Sequence, residues 1–307
     1  MDVSIVVPFL NEEESLEELF SRIKEAADNS HLSFEVCFVD DGSTDNSLEV
    51  VKNLRKTFSN IKILSFRKNY GKSAALSEGF KLAEGDNIIT MDADLQDDPA
   101  EIPNLIQKLD EGFDMVSGWK KKRHDPISKT LPSKFFNFTT SFLTGIKIHD
   151  FNCGLKAYRR DVIKEIPVYG ELHRYLPVLA HWRGFRVGEI VVQHHARKYG
   201  VTKFGWKRLF HGFFDLVTVL FITRYRQKPL HLFGTVGLIS VTFGFVILLY
   251  LSILWLQGHG IGDRPLLFLG ILLMIVGMQS FSLGLIGEMI TNSKDEEVSY
   301  SIREEIG

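Results

Sequence analysis

The segment NIITMDADLQDDP, residues 87–99, decides the fold. Asn87–Met91 is short and apolar, and the chain then turns acidic in Asp92-Ala93-Asp94-Leu95-Gln96. An apolar run this short, bounded by polar residues and by Pro99, reads as a strand buried on both faces. In an open parallel sheet, ligands bind outside the carboxyl ends of the strands, so the place of the acidic cluster is itself a signal. Two unpaired carboxylates at the end of a buried strand repel each other in a desolvated site. A divalent cation removes that cost, and oxygen ligands with open positions suit Mg²⁺ or Mn²⁺ together with phosphate groups. Gln96 is spaced to add a carbonyl or to hold a bound water. The plain alternative is a helix cap at Pro99, a task that Asp97 or Asp98 could serve instead.

Outward from this segment the same unit repeats. Val3–Val7, Glu35–Val39, Ile61–Phe66 and Asp114–Ser117 read as further strands. Between them lie residues at helical spacing: Leu16, Leu19, Phe20 and Ile23, with Glu12–Glu14 in the first turn, then Leu48, Val51, Leu54 and Phe58 behind a Ser43–Asp45 capping cluster. Ala75–Ala83 and Pro99–Leu109 continue the alternation. The pattern predicts an α/β fold with a mostly parallel sheet covered on both faces. Past residue 120 it is less regular, with helices expected near 132–144 and 174–182 and a strand near 185–193.

The other strand ends are polar too. The first leads into Pro8-Phe9-Leu10-Asn11-Glu12, the second into Asp40-Asp41-Gly42-Ser43, and the third into Arg67, Asn69, Gly71 and Lys72. Four such clusters on one edge argue for a single site. Arg67, Lys72, Arg197 and Lys203 are candidate pyrophosphate partners, and Arg197–Lys203 is a basic, glycine-containing loop suited to closing over phosphates.

The chain has 307 residues and a formal charge of −2, which gives no global field favouring nucleic acid. Its two cysteines, Cys37 and Cys153, fit a reducing compartment, and Cys37 lies in a strand-like run as a small buried residue. The sequence opens on an apolar strand, so a signal peptide is not expected and insertion relies on the C-terminal helices. Residues 230–256 and 265–287 contain no Asp, Glu, Lys or Arg, and each run is long enough to cross a bilayer. The expected organisation is a catalytic domain over 1–204, amphipathic juxtamembrane helices over 205–228, two spans within 229–290 and a charged tail over 291–307. Trp206, Lys207, Arg208, Phe210, Phe213, Phe214, Arg224, Arg226 and Lys228 make the juxtamembrane segment both aromatic and basic, like an interfacial helix. Those cations precede the first span, whereas the loop Gln257–Arg264 carries one Arg and one Asp. The positive-inside rule therefore places the catalytic domain and tail in the cytoplasm.

The motifs VPFLNEEESL (7–16), VDDGSTD (39–45), FRKNYGKSAAL (66–76), MDADLQDDP (91–99), DFNCGLKAYRR (150–160) and RKYGVTKFG (197–205) run in one order over about two-thirds of the chain. Together they resemble glycosyltransferase family 2 with the GT-A fold, and more narrowly its polyprenyl-phosphate glycosyltransferases. The resemblance implies that Pro8, Leu10 and Glu12 line a nucleotide pocket and that Asp41 hydrogen-bonds the base. It implies a metal on Asp92, Asp94 and Gln96, with Lys72, Arg197 and Lys203 on the nucleotide-sugar phosphates. Lys120 and Lys134 become the lipid-phosphate ligands. Lys120 stands where relatives often have Arg and lacks the bidentate contact, and Thr202 stands where Ser is common. Asp150, Asn152 and Lys156 shape the sugar and acceptor pocket, and Asp94 and Asp150 are the candidate bases.

The reaction so implied is metal-dependent, inverting transfer from a UDP- or GDP-linked sugar to a polyprenyl phosphate, at the cytoplasmic face of a bacterial inner membrane and in a homo-oligomer. A same-fold enzyme with another lipid or glycan acceptor, or a non-catalytic nucleotide-binding membrane subunit, stays open as an alternative.

Overall fold

Val3–Phe9 forms β1, and its side chains alternate between two covered faces. Val3, Ile5, Val7 and Phe9 join one core with Leu16, Leu19, Phe20 and Ile23 of α1 (Leu16–Asn29). On the opposite face Val6 meets Gly79 of α3 (Lys72–Leu82), where an added Cβ would stand 2.4 Å from the valine methyl. This two-sided burial explains why the strand reads as a continuous apolar run. The computed structural model describes residues 1–121, 137–166, 168, 170, 172–196, 198–199, 218, 221, 228–262 and 264–293.

The sheet has seven strands in the order β3-β2-β1-β4-β6-β5-β7. These are β2 (Phe34–Asp40), β3 (Ile61–Ser65), β4 (Asn87–Thr90), β5 (Met115–Trp119), β6 (Lys156–Arg159) and β7 (Val187–Val191). β3, β2, β1 and β4 pair in parallel, as do β5 and β7. β6 runs antiparallel between β4 and β5, with Thr90 opposite Lys156 and Ser117 opposite Lys156 on its other side. The parallel sheet expected from the sequence is thus interrupted by one strand with no counterpart in the hydrophobic pattern. KAYR has only four residues and is basic at both ends.

α1 packs beside α2 (Ser47–Thr57) and α4 (Ile102–Asp110), and α3 covers β1 and β2 from the other side. α5 (Arg160–Glu165) follows β6, and a 3₁₀ turn at Leu172–Arg174 leads into α6 (Leu176–Trp182). Residues 137–144 are helical, the C-terminal part of the helix expected near 132–144. At the amino end of the sheet, buried Glu35 accepts from Ser4 Oγ at 2.6 Å and the Glu84 amide at 2.7 Å, and pairs with Lys62 at 2.8 Å.

The chain divides into two compact units, Met1–Val219 and Leu220–Gly307. In the second, α7 (Pro229–Leu256) and α8 (Pro265–Ser293) form an antiparallel hairpin. At ~1.5 Å per residue, 28 residues reach about 42 Å, more than a hydrocarbon core of ~30 Å. A Cβ on Gly237 would stand 2.7 Å from the Gly277 carbonyl oxygen, and one on Gly244 2.8 Å from that of Gly270. Backbones approach this closely only where side chains are missing. Glu288 accepts from the Leu230 amide at 3.3 Å, placing a carboxylate at the amino end of α7, where the helix dipole favours it.

Candidate active site

Three loops at the carboxyl edge are laced together by hydrogen bonds. Asn11, in a left-handed conformation at φ 55°, donates its amide to Ser43 Oγ, and its side-chain oxygen accepts from the Thr44 amide at 2.8 Å. The Glu12 amide donates to Ser47 Oγ at 2.8 Å. Asp41 reaches the third loop, accepting from the Tyr70 amide at 2.7 Å and the Gly71 amide at 3.0 Å. Burial pushes its carboxyl upward, against those two amides. Gly42, at φ 78°, lies so close to Lys68 that a Cβ would stand 2.5 Å from its carbonyl carbon. Pro8 and Leu10 are half-buried beside this lattice. Asp40, next to Asp41, is a structural residue that accepts from the Ser43 amide and Ser65 Oγ.

The third loop delivers Lys72 onto the carboxylate of Asp92. Burial raises the Asp92 carboxyl, but the adjacent Lys72 ammonium outweighs it and holds the group well below the usual carboxylate range. Asp94, nearly buried, accepts from the Gln96 amide at 3.2 Å. Leu95 between them has φ 60°, a conformation costing a non-glycine residue on the order of 1–2 kcal/mol. Such strain persists where surrounding contacts enforce it, and here Leu95 is packed into the core. Asp98 accepts from the Ala100 amide and so caps the 3₁₀ turn Pro99–Glu101 before α4. It also holds Arg22 at 3.0 Å and His195 at 2.9 Å. With the cap supplied by Asp98, Asp92 and Asp94 are left to the site.

Behind Asp92 lies a cavity of about 70 Å³ whose lining includes Lys72, Asn152, Gly154, Lys156, His173 and Arg174. A Cβ on Gly154 would stand 2.6 Å from Asp92 Oδ2, so this glycine makes room for the carboxylate. Lys156 is 4% exposed and donates to the Cys153 carbonyl. Burial lowers its pKa. The imidazole Nδ1 of His173 lies 2.9 Å from Ser73 Oγ, which also accepts from the His173 amide at 3.2 Å. The Ser73 proton is then directed to Nδ1, leaving the ring proton on Nε2. Burial, reinforced by the cations Lys72, Arg174 and Lys156, lowers the His173 pKa well below the ordinary value and keeps the ring neutral.

The remaining expected residues fall in different places. Asp150 is buried and accepts from the Asn152 amide at 3.1 Å, but does not line the cavity. Lys120 points inward to buried Asp97 at 2.7 Å. Burial lowers its pKa, but Asp97 outweighs that and raises it. Lys134, Arg197, Lys203 and Thr202 lie outside the described residues, as does most of 205–228. The segment before Arg197 is fixed: Asp97 bridges to His194, and the His195 amide donates to the Gln96 carbonyl at 2.9 Å. Both cysteines are free and buried, with burial pushing each thiol up to about 12. Sequence reasoning missed Ser73, Gly154, His173 and Arg174, and the latter two lie outside the strand-end clusters that pointed to the site.

Among known proteins, the model of "Glycosyl transferase family 2" matches residues 4–167. A dodecaprenyl-phosphate galacturonate synthase of Rhizobium johnstonii is 37% identical over 99% of this chain and 93% of the relative. An undecaprenyl-phosphate 4-deoxy-4-formamido-L-arabinose transferase of Shewanella sediminis is 38% identical over 94% of this chain and 86% of the relative. Among solved structures, glucosyl-3-phosphoglycerate synthase of Mycobacterium tuberculosis with UDP superposes with a TM-score of 0.54 at 19% identity, over 72% of this chain and 79% of that one, a likeness of fold. With this sheet, this carboxyl-edge site and these relatives, the chain belongs to glycosyltransferase family 2 and is a glycosyltransferase.

Proposed function

We propose that the chain transfers a sugar from a nucleoside-diphosphate donor to a polyprenyl phosphate at the cytoplasmic face of the membrane. The observation that carries this reading is the gathering of four strand ends at one edge around Asp92, Asp94 and Lys72. A phosphate oxygen of the acceptor bonds to the anomeric carbon from the face opposite the leaving group. The bond from that carbon to the nucleoside diphosphate breaks, so configuration inverts. The acceptor phosphate carries about 1.5 to 2 negative charges at neutral pH and needs no strong base. Pro8, Leu10, Glu12 and Asp41 flank the base-binding end, and Lys72, Arg197 and Lys203 serve the diphosphate.

Asp92 and Asp94 supply two carboxylates and Gln96 an amide, a donor set that fits Mg²⁺ or Mn²⁺ retaining positions for phosphate oxygens. Among the described residues no cluster of three His, Cys, Asp or Glu offers a closed site. The ion pair between Lys72 and Asp92 supports the reading that this carboxylate takes a cationic partner. A bound metal would neutralise charge on the leaving diphosphate.

A lipid acceptor is supported by the hairpin and by an exposed aromatic pair. Phe138 and Phe142 are 71% and 78% exposed, with ring centroids 6.5 Å apart. Exposed apolar rings of this kind suit the apolar face of an interfacial helix.

The test uses the purified full-length chain in detergent. Release of nucleoside diphosphate should require polyprenyl phosphate, stop in chelator and return with Mn²⁺ or Mg²⁺. Asp94→Asn should lower turnover at least 100-fold without unfolding the protein, as loss of a charge-stabilising group does. Full turnover in chelator would remove the metal, and release without any lipid phosphate would remove the acceptor.

A further inference from the structure

The acidic loop after β4 is held by a carboxylate that does not reach solvent. Asp97 is fully buried, and it pairs with the Lys120 ammonium at 2.7 Å. Lys120 follows directly on β5, whose last residue, Trp119, accepts from the Val192 amide at 3.1 Å. β5 lies between β6 and β7, so the lysine leaves a strand paired on both sides. The neighbours of Asp97 are fastened elsewhere. The Gln96 carbonyl accepts from the His195 amide at 2.9 Å, and Asp98 holds Arg22 of α1 at 3.0 Å. Asp97 itself bridges to His194. Three successive residues are thus tied to the end of β5, to the chain beyond β7 and to α1. Leu95, two residues before Asp97, has φ 60°, a conformation that persists only where its surroundings enforce it. Asp94 depends on the same backbone, because its carboxylate accepts from the Gln96 amide at 3.2 Å.

We infer that the Lys120–Asp97 pair is a positioning device, fixing the Gln96 backbone and through it the Asp94 carboxylate, and that Lys120 does not bind phosphate. The inference rests on the site reading above and adds to it the residues that hold Asp94 in place. A buried carboxylate that loses its ammonium turns toward water or takes up a proton, and either way the hold of β5 on the loop is gone. Removing both charges together leaves no stranded carboxylate, and an apolar pair can fill the same space. A phosphate ligand behaves otherwise, since its charge cannot be removed in any background without weakening the phosphate contact.

The test compares Lys120→Met, Lys120→Arg and the double variant Lys120→Met/Asp97→Leu with wild type, all as the full-length chain in detergent. Amide hydrogen exchange is read first, on protein without donor, metal or lipid. In Lys120→Met the Gln96 and His195 amides should exchange about 10-fold faster or more, while Val36 and Phe66, bonded across the sheet, keep wild-type rates. The double variant should return the loop amides toward wild type. Turnover is read second. Lys120→Met should lower kcat about 100-fold, the scale of a 1 Å misplacement, with the KM for undecaprenyl phosphate within about 3-fold of wild type. The double variant should recover kcat to within about 10-fold of wild type, as should Lys120→Arg, which keeps the charge. Where Lys120→Met does not fold, the double variant decides alone. Unchanged loop exchange in Lys120→Met, or a double variant about 100-fold or more below wild type in kcat, overturns the inference. A KM for the lipid phosphate raised about 10-fold or more in both the single and the double variant also overturns it, and makes Lys120 a phosphate ligand. If exchange responds as expected but wild type transfers no sugar to a lipid phosphate, the positioning role stands and the function proposed above fails.

Discussion

Gly154 shows how a residue without a side chain governs one with a charge. Any Cβ there would stand 2.6 to 2.8 Å from the Asp92 carboxyl atoms. Gly154→Ala should displace that carboxylate and lower turnover about 100-fold, the scale on which a 1 Å misplacement acts, while circular dichroism stays unchanged. Wild-type turnover in the variant would mean that Asp92 has room to shift at no cost. His173 permits a pH prediction. Its folded pKa lies below the ordinary 6.5, so below that value the unfolded chain binds a proton that the folded one excludes. Stability present above about pH 6.5 is lost as pH falls toward the folded value, at up to about 1.4 kcal/mol per pH unit. The groups around the ring are the cations Lys72, Arg174 and Lys156 and the carboxylate Asp92. Denaturation of wild type and His173→Asn at pH 7.5 and 5.5 should give a smaller gap at the lower pH. An identical gap at both would show that the ring takes up its proton without cost.

Secondary-structure elements here are held at distances set by glycine. α3 reaches β1 through Gly79, and α7 reaches α8 through Gly237 and Gly244 facing Gly277 and Gly270. In the hairpin the opposing atoms are backbone and cannot rotate away. Gly244→Ala should therefore cost roughly 1–3 kcal/mol in detergent denaturation, typical of overpacking. Gly260→Ala, in the connecting turn where a Cβ meets nothing within 4 Å, is the control and should change stability by less than about 0.5 kcal/mol. Equal effects of the two would mean that close helix contact does not hold the hairpin.

The residues of the site and the two apolar helices fall in different units of the chain. Every described residue of the carboxyl-edge site and its cavity belongs to Met1–Val219, and both apolar helices belong to Leu220–Gly307. A chain ending at Val219 should keep the seven-stranded sheet and donor binding, because the core residues of that sheet lie before residue 200. Its activity on long-chain polyprenyl phosphate should fall by 10²-fold or more, since the effective concentration supplied by tethering is lost. Activity on a short, water-soluble prenyl phosphate should fall much less. Equal losses on the two acceptors would show that the helices shape the site itself.

The sequence alone determined the elements whose signal is local. Parallel strands buried on both faces leave continuous apolar runs, and helices between them leave a 3.6-residue spacing, so β1 to β5 and α1 to α4 could be read directly. The carboxyl ends of those strands then pointed to Asp92 and Asp94, and two long charge-free runs marked the apolar helices. What only the tertiary structure decided depends on residues distant in the chain. β6 is too short and polar to announce itself, and its antiparallel place comes from pairing with β4 and β5. That pairing carries Lys156 beside Asp92, while the turn at Leu172–Arg174 brings His173 onto Ser73, 100 residues earlier. Lys120 is the reverse case. The family resemblance implied a phosphate ligand there, and in the fold its ammonium pairs with Asp97. A charge in a sequence has a sign but no partner until the chain folds, and burial then decides whether that partner lies inside the protein or arrives with a ligand.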